Sequence, residues 1–102
     1  NSIKIIQIKG RIDLLDYENL NDKLIEYMDS GVRKLIIDCE KLTFINSSGL
    51  RVLILSVKKM ENLGGRVIFC GFNENISKVF GITGYLSIFN VYDNLEEAVA
   101  GS

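Results

Sequence analysis

The chain contains no histidine, and that absence removes several chemistries at once. Neither a Ser-His or Cys-His nucleophile pair nor a histidine-ligated metal can be assembled from its own residues. Cysteine is scarce: Cys39 and Cys70 each lie at the end of an apolar strand-like run, at a spacing that fits no zinc or redox motif. Both are expected to be small buried hydrophobes. No apolar run exceeds four residues, as in VLIL at Val52 to Leu55, far short of the ~20 that cross a bilayer, and nothing resembles a signal peptide. Nor is there an excess of positive charge. Twelve Lys and Arg against 13 Asp and Glu give a net charge of -1, which argues against direct binding to a nucleic-acid backbone.

What is there describes one ordinary globular domain over residues 1–102. Hydrophobic residues make up 47% and charged residues 25% of 102, enough to bury roughly 65% of the unfolded surface in one core. Such a chain is expected in the cytoplasm, without membrane insertion, metal or cofactor, as a monomer or weak homodimer.

Strands and helices alternate along it. KIIQIK, Lys4 to Lys9, is β-rich with a lysine at each end, which suits a strand near a sheet edge. GRID, Gly10 to Asp13, follows as a turn or a short second strand. From Asp16, a plausible cap, Tyr17, Leu20, Leu24 and Tyr27/Met28 share one helical face. Leu15 and Leu20 would staple its start, and Gly31 suits its end. RKLIIDC, Arg33 to Cys39, reads as a strand buried on both faces of a parallel sheet. EKLTFI is expected as a short loop. Leu50, Leu53, Ile54, Val57 and Met60 then recur at helical spacing, with Arg51, Lys58 and Asn62 opposite, so an amphipathic helix runs to Leu63 before Gly64-Gly65. Arg66 to Gly71 reads as a buried strand, Asn73 to Phe80 as a short helix closed by Gly81, and Ser87 to Tyr92 as a last strand. Asp93 is expected to cap a final turn of helix. The order predicts an α/β fold: a mixed, mostly parallel sheet of four to five strands packed with about four helices.

One stretch interrupts the apolar pattern. FINSSGL, Phe44 to Leu50, lies where a strand and loop hand over to the amphipathic helix, so Asn46 or Ser47 can cap its free N–H groups and Ser48 falls in the first turn. Capping accounts for one polar side chain, not for two serines and a glycine together. A nucleophile elbow is excluded, because its first glycine is missing and no histidine exists to activate the hydroxyl. Ser56 with Lys58-Lys59 offers an S-x-x-K pairing in mid-helix, where a solvated face is the simpler account. A phosphate loop lacks both glycine patterns. A third reading, which competes with plain capping, makes Ser48 a phosphate acceptor: the first helical turn favours negative charge, and Arg51 stands one turn away. A receiver-like domain with Asp38 as acceptor fits poorly, since the first strand ends without paired acids and the last lacks the expected lysine.

FINSSGLRVLI resembles the signature of STAS domains, shared by bacterial anti-sigma factor antagonists and the cytoplasmic tails of sulfate transporters. GRID, LIIDCEKLTFI, GGRVIFCG and ISKVFGITGYLSIFNVYDNLEEAVA extend the resemblance over nearly the whole chain. It implies a non-enzymatic module that binds an anti-sigma factor with serine kinase activity and frees a sigma factor. Phosphorylation of Ser48 would end the binding and a serine phosphatase would restore it. The implied docking residues are Asp13, Asn46, Ser47, Ser48, Gly49, Leu50, Arg51, Val52 and Leu55. Related domains also serve as constitutive scaffolds or transport-accessory subunits. Two positions depart from the family pattern: Asn46 stands for the usual aspartate and Arg51 for the second glycine, changes expected to retune partner choice.

Overall fold

The computed structural model describes residues 3–12, 17–83 and 90–101. Four parallel strands form one sheet in the order β1 (Ile3–Ile12), β2 (Lys34–Ile45), β3 (Arg66–Cys70) and β4 (Asn90–Tyr92). Helices α1 (Tyr17–Asp29), α2 (Ser47–Asn62) and α3 (Glu74–Thr83) connect successive strands, and α4 (Leu95–Ala100) follows the last. This is the expected α/β fold, and among the described residues the sheet is wholly parallel.

The two faces of the sheet are covered unequally. One carries the main core, where Leu35, Ile37, Val67 and Phe69 meet Leu24 and Met28 of α1, Leu53, Val57 and Met60 of α2, and Ile76 and Phe80 of α3. On the other, Ala98 and Leu95 of α4 close over Ile36, Ile68 and Cys70. Ile5 is in register with Ile36, yet it is left exposed, because α4 packs on β2, β3 and β4. Central strands buried on both faces explain the continuous apolar runs of β2 and β3.

Several local readings are corrected. Glu40 and Lys41 interrupt the apolar run but do not end the strand: EKLTFI is the second half of β2. Its register against β1 slips between Gln7 and Lys9 and again between Gly10 and Arg11, so β2 absorbs an extra residue at each bulge. Asp38 Oδ1 accepts the Glu40 amide at 3.1 Å in the first of them. Gly10 to Ile12 is the far end of β1 rather than a separate strand. Gly81 lies inside α3, which continues to Thr83. The cap of α4 is Asn94, not Asp93: its Oδ1 accepts the Glu97 amide at 2.9 Å. The α1 pattern holds where it is described, with Leu24 and Met28 buried and Gly31 ending the helix at φ 97°. Asp13, Leu15, Asp16 and the first half of the expected last strand lie outside the described residues.

Candidate functional site

FINSSGL closes β2 and opens α2. Phe44 and Ile45 pair with Arg11 and Ile12 at the far end of β1, and the Asn46 amide donates to Ile12 O at 2.9 Å, tying the start of the helix to that strand. Asn46 is the N-cap, in extended backbone at φ -87° and ψ 177°. Its Oδ1 accepts the Gly49 amide at 2.8 Å and its carbonyl accepts the Leu50 amide at 2.9 Å. The side-chain cap thus comes from the asparagine, and neither serine hydroxyl takes part in it.

The glycine answers to packing. A Cβ on Gly49 would stand 2.6 Å from Ile12 Cγ2 and 2.9 Å from Ile45 Cγ1, so the helix presses onto the ends of β1 and β2 at a distance that a side chain does not permit. That close approach turns Gly49 and Leu50 inward and the hydroxyl-bearing side outward: Ser47 is exposed and Ser48 half-buried. No hydrogen bond among the described residues engages Ser48 Oγ. The first turn of α2 contains no acidic residue, leaving the positive end of its dipole without a compensating carboxylate there.

The remaining expected docking residues divide. Arg51 is exposed and Leu55 is 49% exposed, so both face outward with Ser47. Val52 does not belong with them. At 7% exposure it is part of the core that includes Leu24 and Met28, on the flank where Ser56, one turn on, lines the groove between α1 and α2. Gly49 and Leu50 likewise shape the site from beneath rather than offer surface. Asp13 lies outside the described residues. Ser56 is buried and its Oγ donates to Leu53 O at 2.6 Å, so it is a satisfied core hydroxyl rather than part of a solvated face or a partner for Lys59.

Two residues without an assigned role adjoin the site. Arg11 stacks over the Phe44 ring at 4.2 Å from its centroid, and this cross-strand pair exists only because the bulges bring Phe44 opposite Arg11. Lys58, seven residues beyond Arg51, lines the same groove as Ser47 and Arg51; its spacing was visible in the sequence.

Cysteine and metal chemistry find little footing. Burial, with the Asp38 carboxylate adding, pushes the Cys70 thiol up to about 11, and burial raises Cys39 further still. Both thiols are protonated and unreactive at neutral pH. Among the described residues no group of three His, Cys, Asp or Glu could hold a metal ion, and no helix is long and apolar enough to cross a membrane.

Comparison with known proteins agrees with this geometry. The model of the STAS domain matches residues 1–98. BtrV of Bordetella bronchiseptica, a candidate anti-sigma factor antagonist, is 33% identical over 93 residues, covering 91% of this chain and 80% of its own. The phosphorylated form of SpoIIAA, a Bacillus cell fate determinant, superposes with a TM-score of 0.74 at 25% identity, covering 94% and 86% of the two chains. A candidate anti-sigma factor antagonist from Thermotoga maritima superposes with a TM-score of 0.92, covering 97% and 86%; at 19% identity this is a likeness of fold.

Proposed function

The chain belongs to the STAS domain family, and from that premise we propose that it is an anti-sigma factor antagonist controlled at Ser48. Unphosphorylated, it binds an anti-sigma factor that is also a serine kinase, and a sigma factor is released. Phosphorylation of Ser48 ends the binding, and a serine phosphatase restores it. Its work is protein binding in the cytoplasm rather than catalysis.

The observation that carries this reading is the division of labour at the start of α2. Asn46 alone forms the cap, so a phosphate on Ser48 Oγ removes no hydrogen bond that the cap requires. The added charge enters a first turn that holds no carboxylate, where the helix dipole favours it. The domain stays folded while its docking surface changes sign. An interface that must cover such a phosphate meets like-charge repulsion of several kcal/mol, and about 2.7 kcal/mol lowers affinity a hundredfold. Names of relatives lend support: BtrV is a candidate anti-sigma factor antagonist, and a solved neighbour is a phosphorylated form.

Incubation with the cognate anti-sigma kinase and ATP, read by intact mass, tests it. One phosphate is expected on the wild type and none on Ser48→Ala. No phosphate on the wild type, or equal labelling of both, removes the switch in favour of a constitutive scaffold or transport-accessory subunit.

A further inference from the structure

From Ser47, the exposed residues Arg51, Leu55, Lys58 and Asn62 follow at intervals of three or four, which places them on one stripe of α2. Two shallow grooves meet on this stripe and share Leu55 and Lys58. One, of about 380 Å³, lies beside Ser47 and Arg51; the other, of about 400 Å³, lies against Ile25 and Met28 of α1. Leu55, between them, is at 49% the most exposed large hydrophobic residue among those described.

The stripe is cationic and its charges are unspent. Among the described residues the one ion pair joins Lys78 to Glu74 on α3, so Arg51, Lys58 and the neighbouring Lys59 have no carboxylate partner there. The sole acid of α2, Glu61, stands in its last turn. Two of the four acids of α1, Asp22 and Glu26, border a separate depression with Asn19 and Lys23. The groove between the two helices is thus lined by no acid, and its charged residues are Lys58 and Lys59 of α2.

We infer that this stripe receives an acidic segment of the partner protein, with carboxylates flanking an apolar side chain that rests on Leu55, and that a phosphate on Ser48 closes the surface by pairing with Arg51. The second half rests on the proposed role of Ser48; the first does not. Charge complementarity selects the occupant: a segment rich in carboxylates is drawn to the unpaired cations of α2. Ser48 and Arg51 are three residues apart and so neighbours on the helix, and a guanidinium engages a phosphate through paired, charge-assisted hydrogen bonds. A cation held that way is lost to the partner.

Two probes test this: the anti-sigma factor that phosphorylates the chain, and a helical peptide with glutamates flanking leucines, compared with its lysine-for-glutamate counterpart. The acidic peptide is expected to shift the amide resonances of α2 and the lysine peptide to leave them unmoved. Affinity for the anti-sigma factor should fall about tenfold or more in Arg51→Glu/Lys58→Glu, about 1.4 kcal/mol, and should weaken with added salt. Ser48→Asp should cost less in an Arg51→Ala background than in the wild type. Undiminished binding of the charge-reversed variant overturns the acidic partner even where Ser48 is still phosphorylated. Peptide binding on α2 without any phosphate on Ser48 keeps the stripe and removes the switch. Additive losses for Ser48→Asp and Arg51→Ala overturn the pairing of phosphate with Arg51.

Discussion

Helices α2, α3 and α4 all begin on an asparagine whose Oδ1 accepts the amide three residues on. Asn46 takes it from Gly49 at 2.8 Å, Asn73 from Ile76 at 2.8 Å and Asn94 from Glu97 at 2.9 Å. Past the cap they diverge. The first turn of α3 carries Glu74 and that of α4 carries Glu96 and Glu97, whereas α2 carries no acid and two serines. Where α3 plants Ile76 in the core, α2 has Gly49, pressed against Ile12 and Ile45. The shared cap makes a helix begin; the differences say what each beginning is for. At α3 it anchors, and at α2 it lies close on the sheet and leaves hydroxyls as the polar groups offered outward.

The anchoring difference predicts the largest effect. Ile76→Ala empties a fully buried site and should cost about 3 kcal/mol in urea unfolding. Asn73→Ala should cost about 2 kcal/mol, near the upper end for a cap, because its Nδ2 also donates to Leu42 O at 2.9 Å and joins α3 to β2. Asn94→Ala, at the exposed start of a helix of six residues, should cost only ~0.5 kcal/mol. Equal losses at the two caps would mean that the bond to Leu42 adds nothing.

Gly49→Ala opposes two terms. Alanine is favoured over glycine in a helix by ~1 kcal/mol, but its methyl must displace Ile12 and Ile45, and overpacking of that kind costs about 1–3 kcal/mol. A net loss of about 1 kcal/mol is expected. A more stable variant would show that the sheet yields freely and that close packing is not why glycine occupies this position.

The same contrast explains how much was legible in the sequence. The apolar face of α2 was readable because every residue that helical spacing put on it, Leu50, Leu53, Ile54, Val57 and Met60, is buried. The full length of β2 was not, since Glu40 and Lys41 look like a loop until the bulges that accommodate them are seen. Gly81 reads as a stop by propensity, yet α3 continues through it, as tertiary packing of Ile76 and Phe80 outweighs a cost of ~1 kcal/mol. Asp93 and Asn94 are equally good caps in composition, and only backbone geometry chooses between them. Within the site, Arg51 stands outward as its spacing suggested, and Leu55, on the flank of the apolar face, is exposed with it. Val52 does not, because the burial of a helix flank depends on the neighbouring helix rather than on the helix's own pattern.

The smallest effect separates a change of surface from a loss of fold. Ser48→Asp puts a carboxylate in the first turn of α2, as Glu74 already is in α3, and should stabilise the domain by ~0.5 kcal/mol at low ionic strength. The gain should fade as salt rises, since screening shortens from about 30 Å at 0.01 M to about 3 Å at 1 M. Glu74→Gln should lose a similar few tenths for the same reason, although its exposed contact with Lys78 at 4.0 Å adds little. If Ser48→Asp instead destabilises the protein by more than ~1 kcal/mol, outside the range of a dipole effect, charge at this position disrupts the helix start. A loss of partner binding on phosphorylation would then report partial unfolding of α2, not repulsion at an intact surface.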